Sequence, residues 1–248
     1  GQEMLRIETL TAEPYLHEVS LSVRAGEIVG LAGLMGSGRS ELARVVLGVL
    51  RPSKGTVLFN GAPVRFRKPR AAIAQGIGYL PESRKEEGLV MGMSILQNAA
   101  LSSLRKRQFL GFIRSREERE AVGKTAEILT IRTPNLLQEV ERLSGGNQQK
   151  VAIAKWLICA SRLIIFDEPT RGVDVLAKTE IWRLMRELAS SGAAVLMISS
   201  ELPEIIGMSD RIFVLHKGRI AGELAGADAD EENILTLASF GESHAPVQ

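Results

Sequence analysis

The segment that most constrains this chain is the glycine-rich run Gly33-Leu-Met-Gly-Ser-Gly-Arg-Ser40, which follows the apolar residues 28–32 and precedes a helix-like stretch at 41–47. A strand, a glycine turn and a helix start form the context in which backbone N–H groups close on phosphate oxygens. The run is therefore predicted to be a phosphate-binding loop. It departs from the usual pattern at one position, because Arg39 stands where that pattern has lysine.

The composition limits what kind of protein carries this loop. With 248 residues, 45% of them hydrophobic, the chain can bury a sizeable core, and a formal net charge of +2 gives no reason to expect nucleic acid as a partner. The single cysteine, Cys159, excludes an intramolecular disulfide and fits a reducing compartment. No apolar run approaches the roughly 20 residues of a spanning helix and no signal peptide is visible, so we expect a soluble, cytoplasmic chain.

Apolar runs and turn residues predict an α/β fold. Buried-strand patterns at 28–32, 163–166 and 193–198, with a helical pattern at 175–189, indicate a largely parallel sheet. An alternating pattern at 16–23 predicts a half-buried strand, and the turn Asn60-Gly61 predicts a hairpin; both add antiparallel structure. We predict a core with an N-terminal β subdomain at 1–87 and 161–227. A helical subdomain is inserted at 88–160, and a helical or polar tail follows at 228–248.

Two carboxylates, Asp167 and Glu168, end the apolar run at 163–166. At the C-terminal edge of a parallel sheet, beside a phosphate-binding loop, Asp167 would hold Mg²⁺ through water. Glu168 would orient or deprotonate an attacking water. The alternative is a strand followed by a solvated acidic turn, which the presence of the loop disfavours.

The run Leu143-Ser-Gly-Gly-Asn-Gln-Gln-Lys150 predicts a second anion-binding feature. Ser144 can cap a helix that begins near Asn147, and Gly145 and Gly146 leave its amides open to an anion. An ordinary Ser/Gly helix start is the alternative that the first four residues alone would permit.

Together these motifs resemble the ATPase domains of ABC transporters over nearly the whole chain. In that family the loop at 33–40 is Walker A, residues 143–148 match the signature motif, Asp167 ends Walker B, and Asp174 lies in the D-loop. The resemblance implies an α/β fold: a P-loop NTPase core with a mostly parallel sheet, an antiparallel β subdomain and an inserted helical subdomain.

The resemblance also implies ATP and Mg²⁺ as cofactors, because two such modules sandwich two ATP molecules, each between one Walker A and the other signature. The residues that it carries over as nucleotide contacts are Gly33, Gly36, Ser37, Gly38, Arg39, Ser40, Glu41, Ser144, Gly145, Gly146, Asn147, Gln148 and Asp174. The positions that it assigns to Mg²⁺ are Ser40, Asp167 and Glu82, and those that it assigns to catalysis are Glu168, Glu82 and Ser200.

Finer details are similar to the second ATPase half of bacterial sugar importers of the ribose, galactose and xylose type. These details are the run at 143–150, Asp167-Glu-Pro-Thr-Arg-Gly-Val-Asp174, and Ser199-Ser-Glu201 with Gly207-Met-Ser-Asp210. Those proteins fuse two ATPase domains, so this chain resembles an excised C-terminal half. The implied partners are a second ATPase module in the same full-length chain or as a dimer mate, membrane permease subunits and, indirectly, a periplasmic sugar-binding protein. Residues 87–94 lie where related proteins receive the membrane subunit; burial of these residues in the helical subdomain is the alternative. The implied location is peripheral, at the cytoplasmic face of the membrane.

Three positions depart from the family pattern. Arg39 replaces the Walker lysine, Ser200 occupies the switch-histidine position, and Glu82 stands where a glutamine usually contacts Mg²⁺ and water. No aromatic residue falls at the expected adenine-stacking position near Leu10, and Tyr15 is expected to pack instead. We therefore predict a degenerate site whose intact signature completes the hydrolytic site of the partner half.

Several functions stay open at this level. A transport motor is favoured over a regulatory module whose own site does no chemistry. A nucleoside importer is the alternative to a sugar importer. A soluble ABC protein that acts on ribosomes or DNA should carry long charged insertions or coiled-coil arms, and none lies between the motifs. The basic run at 65–70 is predicted to be a solvated surface hairpin rather than a nucleic-acid site.

Overall fold

The computed structural model describes residues 1–109, 112 and 113, and 115–241. Residues 242–248 of the predicted C-terminal tail lie outside the described residues. The chain divides into two compact units. Unit 1 comprises Gly1–Gly78, Arg162–Glu168 and Met185–Gln248, and unit 2 comprises Tyr79–Ser161 and Pro169–Leu184. The predicted helical subdomain, 88–160, belongs to unit 2, which also takes in the later segment 169–184.

The elements are numbered in chain order. The strands are β1 Glu3–Ala12, β2 Leu16–Arg24, β3 Ile28–Gly33, β4 Lys54–Phe59, β5 Ala62–Val64, β6 Ile77–Leu80, β7 Gln108–Phe109, β8 Phe112–Ile113, β9 Leu163–Asp167, β10 Ala194–Ile198, β11 Arg211–His216 and β12 Arg219–Ala225. The α-helices are α1 Arg39–Val46, α2 Pro69–Ala74, α3 Ile95–Ala100, α4 Ser115–Ile128, α5 Gly145–Ile158, α6 Val175–Ser190, α7 Leu202–Met208 and α8 Glu231–Phe240. A π-helical turn spans Arg84–Gly88, and 3₁₀ turns span Leu101–Arg107, Val140–Arg142 and Gly226–Asp228.

The larger sheet has the strand order β12-β11-β3-β10-β9-β6. The strand β3 runs parallel to both β10 and β11, and β9 runs parallel to β10. Every residue of β9 and β10 is buried, as expected for parallel strands that are covered on both faces. This arrangement confirms the predicted α/β core and brings the C-terminal ends of β3, β9 and β10 to one edge of the sheet.

A second, antiparallel sheet has the order β2-β1-β4-β5. The β4–β5 hairpin turns at Asn60 and Gly61, whose φ angles of 52° and 76° are those that a type I′ turn requires. The sequence did not indicate β1, since register irregularities interrupt its pairing with β2 and break the alternation of buried and exposed residues. The predicted antiparallel β subdomain is confirmed.

Unit 2 is mainly helical, with α3, α4 and α5 packed on one another. The central helix, α5, is buried along most of its length, including Val151, Ile153 and Trp156. A capping box fixes the start of α3, because Ser94 Oγ accepts from the Gln97 amide at 3.2 Å and the Gln97 side chain accepts in return at 3.0 Å. Within the described ranges, no helix is both long and apolar enough to span a bilayer.

Candidate functional site

The loop between β3 and α1 is built from three glycines with positive φ. Gly33, Gly36 and Gly38 have φ angles of 150°, 78° and 106°, a region that disfavours side chains. Gly38 is the N-cap of α1 and supplies no side-chain cap, so the first amides of the helix stay available to an acceptor. A Cβ on Gly36 would meet nothing within 4 Å. This loop therefore has the open amides and the space that a phosphate group needs.

Neighbouring backbone holds the loop from the other side. A Cβ on Gly38 would lie 2.9 Å from both the Tyr15 carbonyl oxygen and Leu16 Cδ2, so only glycine fits there. The Gly218 amide donates to the Ser37 carbonyl at 2.9 Å. Tyr15 itself is 49% exposed. The hairpin turn at Gly218 and the turn at Tyr15 together fix the shape of the phosphate-binding loop.

Arg39 is the first residue of α1 and is buried. Its Nη1 donates to the Ser199 carbonyl at 2.5 Å, and its Nη2 lies 3.7 Å from Glu168 Oε1. Burial lowers the pKa of Arg39, while the charges of Glu168, Asp167 and Glu41 oppose that shift. Arginine stays protonated at neutral pH, so a fixed positive charge that donates one N–H group to the Ser199 carbonyl occupies the position of the usual lysine.

Glu168 follows β9 and has a polar neighbour at each carboxylate oxygen. Besides the guanidinium of Arg39 beside Oε1, the Ser200 hydroxyl donates to Oε2 at 3.0 Å. The backbone of Glu168 has φ 50°, a left-handed conformation that costs a non-glycine residue about 1–3 kcal/mol and is often found at functional sites. The two predicted catalytic residues of unit 1, Glu168 and Ser200, therefore lie in contact.

Asp167 and Ser40 are the oxygen donors that unit 1 offers to Mg²⁺. Asp167 ends β9 and is 1% exposed, and Ser40 lies in the first turn of α1, beside Glu41. The residues that the structure describes contain no cluster of three or more His, Cys, Asp or Glu side chains suited to a metal ion. Mg²⁺ ordinarily takes one or two protein oxygens together with phosphates and waters, so these residues fit the ion in the presence of a nucleotide.

In unit 2, Ser144 caps α5 as predicted. Its hydroxyl accepts from the Asn147 amide at 3.4 Å and from Asn147 Nδ2 at 3.0 Å. A Cβ on Gly146 would lie 2.6 Å from the Ala177 Cβ, so the start of α5 packs tightly against the start of α6. Gln148 is 4% exposed and donates to the carbonyls that precede the helix, and this side chain holds the turn in place. The start of α5 is thus a capped and tightly packed helix N-terminus.

Two other predicted site residues lie in unit 2. The Asp174 carboxylate caps α6, because Oδ1 accepts from the Ala177 amide at 3.0 Å. Glu82 forms an ion pair with Arg171. The carboxylate of Glu82 therefore has a cation beside it within its own unit.

Sequence reasoning missed two residues that contact these motifs. Ser199 supplies the carbonyl that Arg39 binds, and Arg84 donates to the backbone at Arg171 and Gly172. Ser199 contributes only its backbone, which leaves no signal in a sequence. Arg84 lies two residues after Glu82, and that closeness to a predicted site residue was the signal available.

Comparison with known proteins decides the family. The family model described as ABC transporter matches residues 16–171. The chain belongs to the ABC transporter family. The order of motifs from the phosphate-binding loop to the D-loop predicted this membership, which is confirmed.

Relatives of this ABC transporter chain include proteins named for sugar import. The putative ribose/galactose/methyl galactoside import ATP-binding protein 1 of Rhizobium etli is 49% identical over 241 residues, which cover 97% of this chain and 46% of that protein. The ribose import ATP-binding protein RbsA 2 of Mesorhizobium japonicum is 50% identical over 235 residues, covering 95% and 46%. The chain spans about half the length of the curated relatives it matches.

Solved structures support the ABC transporter fold. A nucleotide-free ATP-binding cassette from an ABC transporter superposes with a TM-score of 0.80 at 25% identity, covering 94% of this chain and 95% of that one. Another ATP-binding cassette of an ABC transporter, in its ADP conformation, gives a TM-score of 0.77 at 25% identity, covering 98% and 97%.

Proposed function

We propose that this chain is an ATP-binding module of an importer that couples ATP binding and hydrolysis to the uptake of a monosaccharide. Relatives at 49% and 50% identity carry names of ribose or galactose import ATP-binding proteins, which supports this cargo class. The open amides of α1 and the glycine loop support binding of the ATP phosphates.

The engagement of Glu168 carries the finer part of the proposal, that this module is the degenerate half. The Ser200 hydroxyl donates to one oxygen of the carboxylate that would activate water, and the Arg39 guanidinium lies 3.7 Å from the other. A lysine ammonium is a compact point charge, whereas the arginine fork reaches the Ser199 carbonyl and Glu168 at once. The loop of this module therefore binds nucleotide and hydrolyses it slowly.

In this proposal the described residues divide between two ATP molecules. The nucleotide of this module binds at residues 33–41, and Ser40 and Asp167 lie near its Mg²⁺. The start of α5 at Ser144, Gly145, Gly146 and Asn147, with Asp174, faces the nucleotide of a second ATPase module. Mg²⁺, when bound, would neutralise charge on the phosphate oxygens. The protein residues supply the amides, the capping hydroxyl and the orientation of both phosphate chains.

The proposal assigns the partners by the chemistry of an importer. A second ATPase module, in the same full-length chain or as a dimer mate, supplies the hydrolytic Walker A. Membrane permease subunits contact the module at the cytoplasmic face of the membrane. A periplasmic sugar-binding protein acts indirectly through those subunits. No nucleic-acid partner is proposed, in keeping with the formal net charge of +2.

The deciding experiment compares two substitutions in the protein assembled with its second module. Ser144→Arg fills the anion-facing start of α5, and we expect steady-state ATP turnover to fall roughly a hundredfold. Glu168→Gln removes a carboxylate that is already engaged, and we expect less than about a twofold change. Ser190→Arg, at the exposed end of α6, is the matched control. A loss with Glu168→Gln as large as that with Ser144→Arg would refute the degenerate half.

A further inference from the structure

Arg84 opens the π-helical turn of unit 2 and reaches two separate segments of that unit. Its Nη1 donates to the Arg171 carbonyl at 3.0 Å and its Nη2 to the Gly172 carbonyl at 3.1 Å. Its Nε lies 3.4 Å from Gln148 Oε1, on the first turn of α5. One guanidinium thus bridges the loop that leads to Asp174 and the helix that Ser144 caps.

Two glycines make room for this guanidinium. A Cβ on Gly145 would lie 2.8 Å from Arg84 Nη2 and 3.1 Å from the Gly172 carbonyl oxygen. Gly172 has φ 66°, which turns its carbonyl in a way that a side chain would disfavour. Burial lowers the pKa of Arg84, so its charge is partly withdrawn from water while it binds carbonyl oxygens. Hydrogen bonds from a charged donor in such a place are about twice as strong as neutral ones.

Further contacts hold the loop at 169–174 in place against α5. Gln149 Nε2 donates to the Pro169 carbonyl at 2.6 Å, at the start of the loop. Gly146 packs on Ala177, at the start of α6. The far end of the π-helical turn is held as well, because Lys155 Nζ donates to the Gly88 carbonyl. Arg84 lies between these contacts, with its guanidinium between Gly172 in the loop and Gly145 at the start of α5.

We propose that Arg84 is a positioning residue that locks the start of α5 and the loop at 169–174 into one preset surface for the nucleotide of the second module. This inference rests on the proposed function. The Ser144 hydroxyl, the Gly145 and Gly146 amides and the Asp174 loop have to meet one phosphate chain at the same time. A misplacement of about 1 Å in such a constellation can slow a reaction roughly a hundredfold.

The fork of the arginine, rather than its charge, performs this role. Three nitrogens in one plane reach two carbonyl oxygens and one amide oxygen together. A lysine keeps the charge but places a single nitrogen in the gap. Arg84→Lys and Arg84→Ala should therefore behave alike, whereas a purely electrostatic role would leave Arg84→Lys close to the unchanged protein.

The first measurement is amide hydrogen exchange on the 248-residue chain without nucleotide. We expect both Arg84 variants to speed exchange at 145–149 and 169–174 by roughly tenfold, because the loop loses its link to α5. Exchange in unit 1 should not change. Arg116→Ala is the matched control, since Arg116 has a side chain that is 93% exposed and pairs with Glu120 on its own helix.

The second measurement is ATP turnover in the protein assembled with its second module, with Mg²⁺ present. We expect kcat to fall roughly ten- to a hundredfold for both Arg84 variants. Binding of a fluorescent ATP analogue to the loop at 33–40 of the separate chain should keep its Kd, which a general loss of folding would not allow.

The outcomes separate the inference from the function on which it rests. Unchanged exchange in Arg84→Ala, or wild-type turnover in either Arg84 variant while Ser144→Arg is inactive, overturns the positioning role alone. Wild-type turnover in Ser144→Arg overturns the proposed function, and the role of Arg84 falls with it. Faster exchange together with reduced kcat in both Arg84 variants supports the inference.

Discussion

At the scale of single residues, the sequence identifies Arg39 as unusual and the structure shows which groups it contacts. The sequence marks it as a departure from the phosphate-binding pattern, because arginine replaces lysine. The partners of Arg39 could not be predicted, since Ser199 is 160 positions away in the chain and contributes a backbone carbonyl. The structure shows that this unusual residue forms an ion pair with Glu168.

The substitution Arg39→Lys tests that contact. A lysine ammonium lacks the fork that spans the Ser199 carbonyl and Glu168, so Glu168 Oε1 should become free to act on water while Ser200 still donates to Oε2. We expect single-turnover ATP hydrolysis by this chain to rise roughly tenfold over the unchanged protein. Arg51→Lys, on an exposed residue of the same unit, should leave the rate unchanged. An equal rate in both variants would show that Arg39 is not what limits the site.

At the scale of elements, local chemistry predicted the turns and buried strands. The predicted turn Asn60-Gly61 between β4 and β5 has φ angles of 52° and 76°, and β9 and β10 were visible as apolar runs. The capping of α5 by Ser144 was equally local. The strand β1 was missed because its irregular pairing hides the period of two, and the bridging role of Arg84 was missed because it depends on tertiary contacts.

The helix α5 also carries a buried lysine whose ionisation should affect stability. Burial lowers the pKa of Lys155 from 10.5 to about 8, although interaction with Cys159 opposes the shift. Between these two values the unfolded chain keeps a proton that the folded chain has released. The free energy of unfolding should therefore rise with pH in this window, by up to about 1.4 kcal/mol per pH unit.

Urea unfolding at several pH values between 8 and 10 measures this contribution of Lys155 to stability. Lys155→Met keeps the length of the side chain and removes the proton, so the variant should lose that part of the slope. Lys124→Met, at an exposed position of α4, should keep the full slope of the unchanged protein. Parallel curves for Lys155→Met and the unchanged protein would contradict the assignment.

At the scale of the whole molecule, the predicted motifs fall into different units. The phosphate-binding loop, Asp167, Glu168 and Ser200 belong to unit 1, whereas the signature, Glu82 and Asp174 belong to unit 2. The motifs could be recognised in the sequence because each is continuous in the chain, and the apolar runs between them predicted the α/β fold. The sequence could not predict that residues 169–184 leave unit 1 and join unit 2, since that depends on packing between distant segments.

Unit 2 presents two large apolar side chains directly after Asp174. Val175 and Leu176 are 78% and 74% exposed at the start of α6. Exposed apolar groups beside a site are typical of surfaces that bind another protein. In the proposed function this surface meets the second ATPase module when ATP brings the two together.

The double substitution Val175→Ser and Leu176→Ser should therefore weaken the ATP-dependent association of the two modules. Burying an apolar side chain of this size contributes about 1.5–3 kcal/mol, so we expect the Kd to rise at least tenfold. Sedimentation velocity with and without Mg²⁺ and ATP measures the association. Ile128→Ser, which is 64% exposed on α4, is the control and should leave the Kd unchanged. If both variants associate like the unchanged protein, the start of α6 lies outside the contact surface, and the second module must reach the signature by another route.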